Sequence, residues 1–130
     1  MVLPVFTNPP SVHDNGGRYS HIAEVKGATR WVHLAGQVGK KVDGTVPADA
    51  GGQTEAAFEN ILALLKEVGM RPANIVRMTT YLTSAADIEA YRVARRKVLP
   101  AEHAPATTLL VIAGLAAPEY KVEIEVTACD

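Results

Sequence analysis

Between His103 and Ala128 the chain carries two runs of different patterning, joined by a short turn. In the first, Thr107 to Leu115, apolar residues fall at odd and even positions alike. A strand with one wet face alternates with period two, so this run predicts a strand covered on both faces. The second run does alternate: Val122, Ile124 and Val126 point one way, Glu123 and Glu125 the other. Two carboxylates therefore share one face of the last strand, beside a strand buried twice over. A chain of 130 residues holds one domain, residues 1–130, with apolar material for one core. The second cover is then expected from another subunit, with Glu123 in or near the interface.

Charge narrows the partners. Thirteen Lys and Arg stand against 14 Asp and Glu, interspersed, for a net charge of −1. Such a balance leaves no basic surface for nucleic acid or an anionic membrane. The single cysteine, Cys129, excludes an intrachain disulfide framework and a multi-cysteine metal site, and reads as a reducing, cytoplasmic compartment. The first ten residues have no basic n-region and no long apolar core, so neither signal peptide nor membrane span is expected. His13, His21, His33 and His103 do not fall at metal-ligand spacing, and the glycines form neither a P-loop nor a dinucleotide fingerprint. No metal or cofactor is expected.

In chain order, residues 1 to 17 read as an extended lead-in. Tyr19 to Lys26 and Arg30 to Val38 are strand candidates ended by Gly27 and Gly39. Asp49 to Val68 is a helix: Asp49 can cap it, Phe58, Ile61, Leu62, Leu65 and Val68 recur at helical spacing, and Gly69 is a natural stop. Ile75 to Thr83 is a strand with Val76, Met78, Thr80 and Leu82 on one face and Arg77, Thr79 and Tyr81 on the other. A second helix begins at Ser84, with Ile88, Tyr91 and Val98 inward. Arg95, Arg96 and Lys97 read as its cationic last turn rather than a phosphate site. The order β-β-α-β-α-β-β implies an α+β domain whose helices cover one sheet face.

These segments together resemble the YjgF/RidA family, the reactive-intermediate deaminases. Tyr19-Ser20-His21 is similar to that family's Tyr-Ser-Gln, and Ala35-Gly36-Gln37-Val38 to its Ser-Gly-Gln-Ile. Met78-Thr79-Thr80-Tyr81-Leu82-Thr83 is similar to Thr-Thr-Val-Phe-Leu, and Gln53 through Gly69 to the family's first helix. Pro105-Ala106 and Val122-Glu123-Ile124-Glu125 match the closing Pro-Ala-Arg and Val-Glu-Ile-Glu, in register across nearly the whole chain. The resemblance implies a chorismate-mutase-like α+β fold, a mixed β-sheet with two helices on one face, and a homotrimer with clefts between subunits. It further implies metal-independent, cofactor-free hydrolysis of enamines and imines, with Glu123 as the catalytic carboxylate and Tyr19 and the Gly36 backbone holding the substrate.

One position departs from the pattern. The active deaminases carry an arginine after Pro-Ala that grips the substrate carboxylate, and here Thr107 stands there. A guanidinium offers charged, bidentate donors; a threonine offers one neutral hydroxyl. The expectation is a cleft kept while its anion clamp, facing Glu123 across it, is lost. Arg18, just before Tyr19, reads as a solvent-facing residue, since adjacent strand residues point to opposite faces; a charge lent to the cleft rim is the other reading. The leading function is a small-molecule hydrolase that deaminates a reactive enamine- or imine-type metabolite. The alternative is a non-catalytic trimer holding a metabolite or partner in the same cleft. RNA cleavage is the third class, disfavoured by the balanced charge.

Overall fold

The computed structural model describes all 130 residues. Its strands are β1 (Val5–Thr7), β2 (Ile22–Glu24), β3 (Trp31–His33), β4 (Gln37–Val38), β5 (Ile75–Leu82), β6 (Ala106–Val111) and β7 (Val122–Cys129). Its helices are α1 (Ala50–Glu67) and α2 (Ile88–Val98). No helix is long and apolar enough to cross a membrane.

Helix α1 forms where its pattern places it. The Asp49 carboxylate accepts the Gly52 N–H at 2.6 Å, satisfying one of the orphan donors of the first turn. Ala57, Phe58, Ile61 and Leu65 make the fully buried stripe. The helix stops in a Schellman motif: Gly69 takes φ 73°, and Met70 N donates to Leu65 O at 2.8 Å and Gly69 N to Lys66 O at 3.0 Å. Helix α2 follows a single 3₁₀ turn, Ala85–Asp87, in which the Ala86 N–H donates to the Ser84 hydroxyl. Its Tyr91 is buried, and the phenol shares a 2.8 Å hydrogen bond with Thr80.

The main sheet has five strands, in the order β3-β7-β5-β6, with β4 also pairing β7. Strand β7 is central: it runs antiparallel to β5 on one side and to β3 and β4 on the other. Val122, Ile124, Val126 and Ala128 point from it into the core beneath α1. This is the mixed sheet with both helices on one face.

Three expectations need correcting. The strands of the closing stretch are not neighbours: β6 pairs parallel with β5, and β5 separates it from β7. A parallel pair needs a crossover, and α2 provides it; β7 then enters on the far side of β5, where its apolar stripe meets α1. Within one chain β6 lacks the second cover that was expected from another subunit. Leu109 packs on the core, but Leu110 and Val111 remain 44% and 48% exposed on an edge strand. In β5 the inward set is Ile75, Met78, Thr80 and Leu82, without Val76. Ile75 pairs with Ala128 and Arg77 with Thr127, so Val76 is the extra residue of a bulge. The early strands are also shorter than expected. β2 pairs with β1, in the lead-in, as a separate two-stranded sheet, and the Arg30–Val38 run breaks into β3 and β4.

Candidate functional site

The sheet face turned away from the helices carries Glu123, Glu125 and Thr127 from β7, Arg77, Thr79 and Tyr81 from β5, and Thr108 and Leu110 from β6. Most of its polar groups are paired. Tyr81 Oη donates to Glu125 Oε1 at 2.7 Å, and that acceptor raises the phenol pKa. Arg77 donates to Thr108 Oγ1 at 2.9 Å, and His33 Nδ1 shares a 3.1 Å bond with Thr127 Oγ1. Glu123 is the one charged group left out, with no side-chain hydrogen bond or ion pair in the chain. What it has is Gly36. A Cβ added to Gly36 would lie 2.9 Å from Glu123 Cδ and 3.1 Å from Oε2. The strand break between β3 and β4 thus lays bare backbone against a half-buried, unengaged carboxylate. Such a carboxylate has its full acceptor capacity left for water or substrate.

The other named residues gather elsewhere. Thr107 pairs with Met78, whereas Glu123 pairs with Tyr81. Side chains alternate along β5, so Thr107 points to the helix side and Glu123 to the open side, with β5 between them. Thr107 opens into a cavity of about 430 Å³ at the edge of β6, lined also by Tyr19, Arg18, Arg95 and His103. Tyr19 arrives through its neighbour: Ser20 N donates to Pro105 O at 3.2 Å and Ser20 Oγ to Ala104 O at 2.5 Å, fastening the segment just ahead of β6. The Thr107 hydroxyl gives its proton to Pro105 O at 2.9 Å. It is left as an acceptor and is not a donor for an anion. Arg18 is exposed at the cavity, and its carbonyl accepts from Arg95 Nη1 at 2.9 Å.

Two residues of this cavity escaped the sequence reading. Arg95 lies four residues after the buried Tyr91, hence on the same inward face of α2; that spacing was the available signal, masked by the adjacent Arg96 and Lys97. Burial lowers its pKa. Neither ring nitrogen of His103 has a hydrogen-bond partner, and both are buried. Burial first, and then the Arg95 charge, lower the His103 pKa from 6.5 to about 4; the Pro72 carbonyl favours the charged form only weakly, without closing a hydrogen bond. The ring is neutral at pH 7.

Within one chain, then, Gly36 and Glu123 form one half-site and Tyr19 and Thr107 another, on opposite faces of the sheet. Among solved structures, the YyfB protein of the conserved Rid family from Yersinia pestis is 30% identical, aligns over 97% of this chain and 98% of its own, and has a TM-score of 0.84. RidA from the Antarctic bacterium Psychrobacter sp. PAMC 21119 shares the fold at 22% identity, over 88% of this chain and 95% of that one, with a TM-score of 0.73. Escherichia coli TdcF, solved with bound serine, shares it at 24% identity, over 88% and 94% of the two chains, with a TM-score of 0.72. Among curated proteins none matches the sequence. A family model described as Endoribonuclease L-PSP matches residues 12–130. That match takes in both half-sites and the strands that carry them, and the chain belongs to the YjgF/RidA family.

Proposed function

We propose that this protein hydrolyses a small, reactive enamine or imine, in a cleft completed by a second subunit of a homotrimer. The observation that carries the reading is the unengaged Glu123 carboxylate held against the Gly36 backbone. The two half-sites cannot meet within a chain, because β5 stands between them. They can meet when the open face of one subunit receives the β6 edge of the next. The half-exposed Leu110 and Val111 on that edge favour such a cover, since soluble monomers rarely leave a contiguous apolar patch wet. Serine bound to the TdcF relative fits an amino-acid-sized ligand for the same fold.

Water adds to the electrophilic imine carbon. Glu123 accepts a hydrogen bond from that water, takes its proton and passes it to the nitrogen. The same carboxylate then takes the proton of the new hydroxyl and delivers it to the nitrogen, so that the C–N bond breaks, a carbonyl forms and ammonia leaves. Tyr19 and the Gly36 backbone hold the substrate. The matching family model is described as an endoribonuclease, but a net charge of −1 with both signs interspersed offers little of the phosphate contact that RNA binding needs.

The test generates imino acids in place with an amino-acid oxidase and follows their decay with wild-type protein and Glu123→Gln. Loss of roughly a hundredfold or more in the variant, with assembly unchanged, is expected for removal of a general base. Equal rates would move the chemistry elsewhere. Tight ligand binding with no turnover of any imine or enamine would instead favour the non-catalytic trimer.

A further inference from the structure

The cavity beside Thr107 is lined by cations without a counter-charge among its residues. Arg18, Arg92, Arg95 and Arg96 line it, and no aspartate or glutamate does. Arg96 is paired with Glu89 at 3.6 Å; the other three have no carboxylate within 4 Å. Arg95 is the most enclosed. Of the five N–H donors on a guanidinium, one is spent on the Arg18 carbonyl, and the rest find no acceptor in the chain. A sequestered cation without a counter-charge is costly unless something pairs it. Structural arginines on a helix end are normally bridged to a carboxylate or fully solvated; this one is half-buried, has no carboxylate partner and faces a cavity of about 430 Å³. That volume suits a small metabolite and is far below what a macromolecule needs.

We propose that Arg95 is the anion-binding cation of this cavity, supplied by α2 where β6 offers only Thr107, and that its ligand is a small dicarboxylate. One carboxylate takes the free donors of Arg95. The second meets the unpaired charges of Arg92 and Arg18. Thr107, its proton already given to Pro105, stays free to accept from an uncharged N–H of the same ligand. The inference rests on the reading of this cleft as the substrate site and narrows the substrate class to imines of dicarboxylic 2-amino acids.

The experiment is calorimetric titration of the assembled protein with non-reactive probes: succinate, propanoate and dimethyl succinate. Succinate is expected to bind at least tenfold tighter than propanoate, with no measurable binding of the diester. Arg95→Gln is expected to weaken succinate at least tenfold, while the ligand-free melting temperature stays level or rises because an uncompensated charge is gone. Arg92→Gln is expected to erase the preference for succinate over propanoate, and it carries the test should Arg95→Gln fail to assemble. Equal affinity for succinate and propanoate, or unchanged succinate binding in Arg95→Gln, would overturn the proposal. Its failure is separable from failure of the hydrolase reading. Turnover of neutral enamines without dicarboxylate binding sinks only this inference; dicarboxylate binding through Arg95 without any turnover sinks only the other.

Discussion

Gly36→Ala isolates the contact on which the catalytic reading depends. The glycine does not have a positive φ, so alanine suits its backbone and stiffens the unfolded chain, a gain of about 0.4–1 kcal/mol. Against this, the new methyl would sit 2.9 Å from Glu123 Cδ and 3.0 Å from Cγ, where carbon atoms prefer about 3.5 Å or more. The carboxylate must retreat by roughly half an ångström. Being the far end of a flexible side chain, it can do so at a rotamer cost of about 0.5–1.5 kcal/mol. The two terms nearly cancel, and stability is expected to stay within about 1 kcal/mol of wild type. Catalysis is less forgiving. A misplacement of 1 Å can cost roughly a hundredfold, so half of that predicts a loss of roughly tenfold in kcat. Gly39→Ala is the contrast. There the methyl would meet Gln53 Cβ at 2.4 Å and Cα at 2.5 Å on helix α1, atoms that cannot step aside. It is expected to lower stability by about 1–3 kcal/mol or more. The assay pairs urea denaturation with imine hydrolysis for both variants. Full activity in Gly36→Ala would show that the position of Glu123 is not what the chemistry uses. Unfolding as severe as that of Gly39→Ala would show that Gly36 serves packing instead.

Light scattering at micromolar concentration is expected to give a trimer mass, and Leu110→Lys, placed at the exposed edge, to lower it; a monomeric wild type would refute the shared cleft. His103 makes stability depend on pH. Its folded pKa of about 4 lies below the ordinary 6.5, so the unfolded chain takes up the proton first. Its contribution is complete above about pH 6.5 and is lost as the pH falls towards 4. The full shift corresponds to about 3 kcal/mol at 1.36 kcal/mol per unit, discounted to about 1–2 kcal/mol for a ring partly open to solvent. His103→Asn is expected to flatten the fall in stability between pH 7 and pH 4.5 relative to wild type, and parallel profiles would disprove it. Asn74 is buried, donates to Cys129 O at 2.8 Å and accepts from Arg71 N at 3.0 Å. Asn74→Ala leaves both backbone groups without partners, and a loss of about 1–3 kcal/mol is expected in denaturant titrations.

Helix α1 was legible because three independent signals agreed on it: a cap at Asp49, a stripe through Phe58, Ile61 and Leu65, and a stop at Gly69. Strand β7 was legible because alternation reports which face is buried. Alternation does not report which strand lies alongside, and the placement of β6 next to β7 failed for that reason. The bulge at Val76 was equally hidden, since a slip of one residue leaves composition unchanged and shifts only the parity between Ile75 and Arg77. The same parity decided the site. Alternation along the last strand singled out Glu123, and the motif resemblance supplied its role and the identities of Gly36, Tyr19 and Thr107. That Thr107 and Glu123 point to opposite faces follows only from their pairing with Met78 and Tyr81, positions of opposite parity on β5. Arg95 carried a helical-period signal, yet the run of three basic residues around it looked like an ordinary solvated helix end.

The central place of β7 bears on how the chain is made. It follows every one of its partners in sequence, and β3, β4 and β5 meet one another only through it. During synthesis α1, β5 and α2 therefore emerge with the apolar stripe beneath α1 still uncovered, and local helix formation can begin long before the sheet can close. Contacts of such large sequence separation close slowly, and partly folded chains with open strand edges are prone to pair with each other. For this protein the exposed interval ends only when the residues up to Cys129 clear the ribosome. A ribosome stalled before Val122 holds the helices with at most the β1–β2 and β5–β6 pairs, and the main sheet still open where β7 belongs.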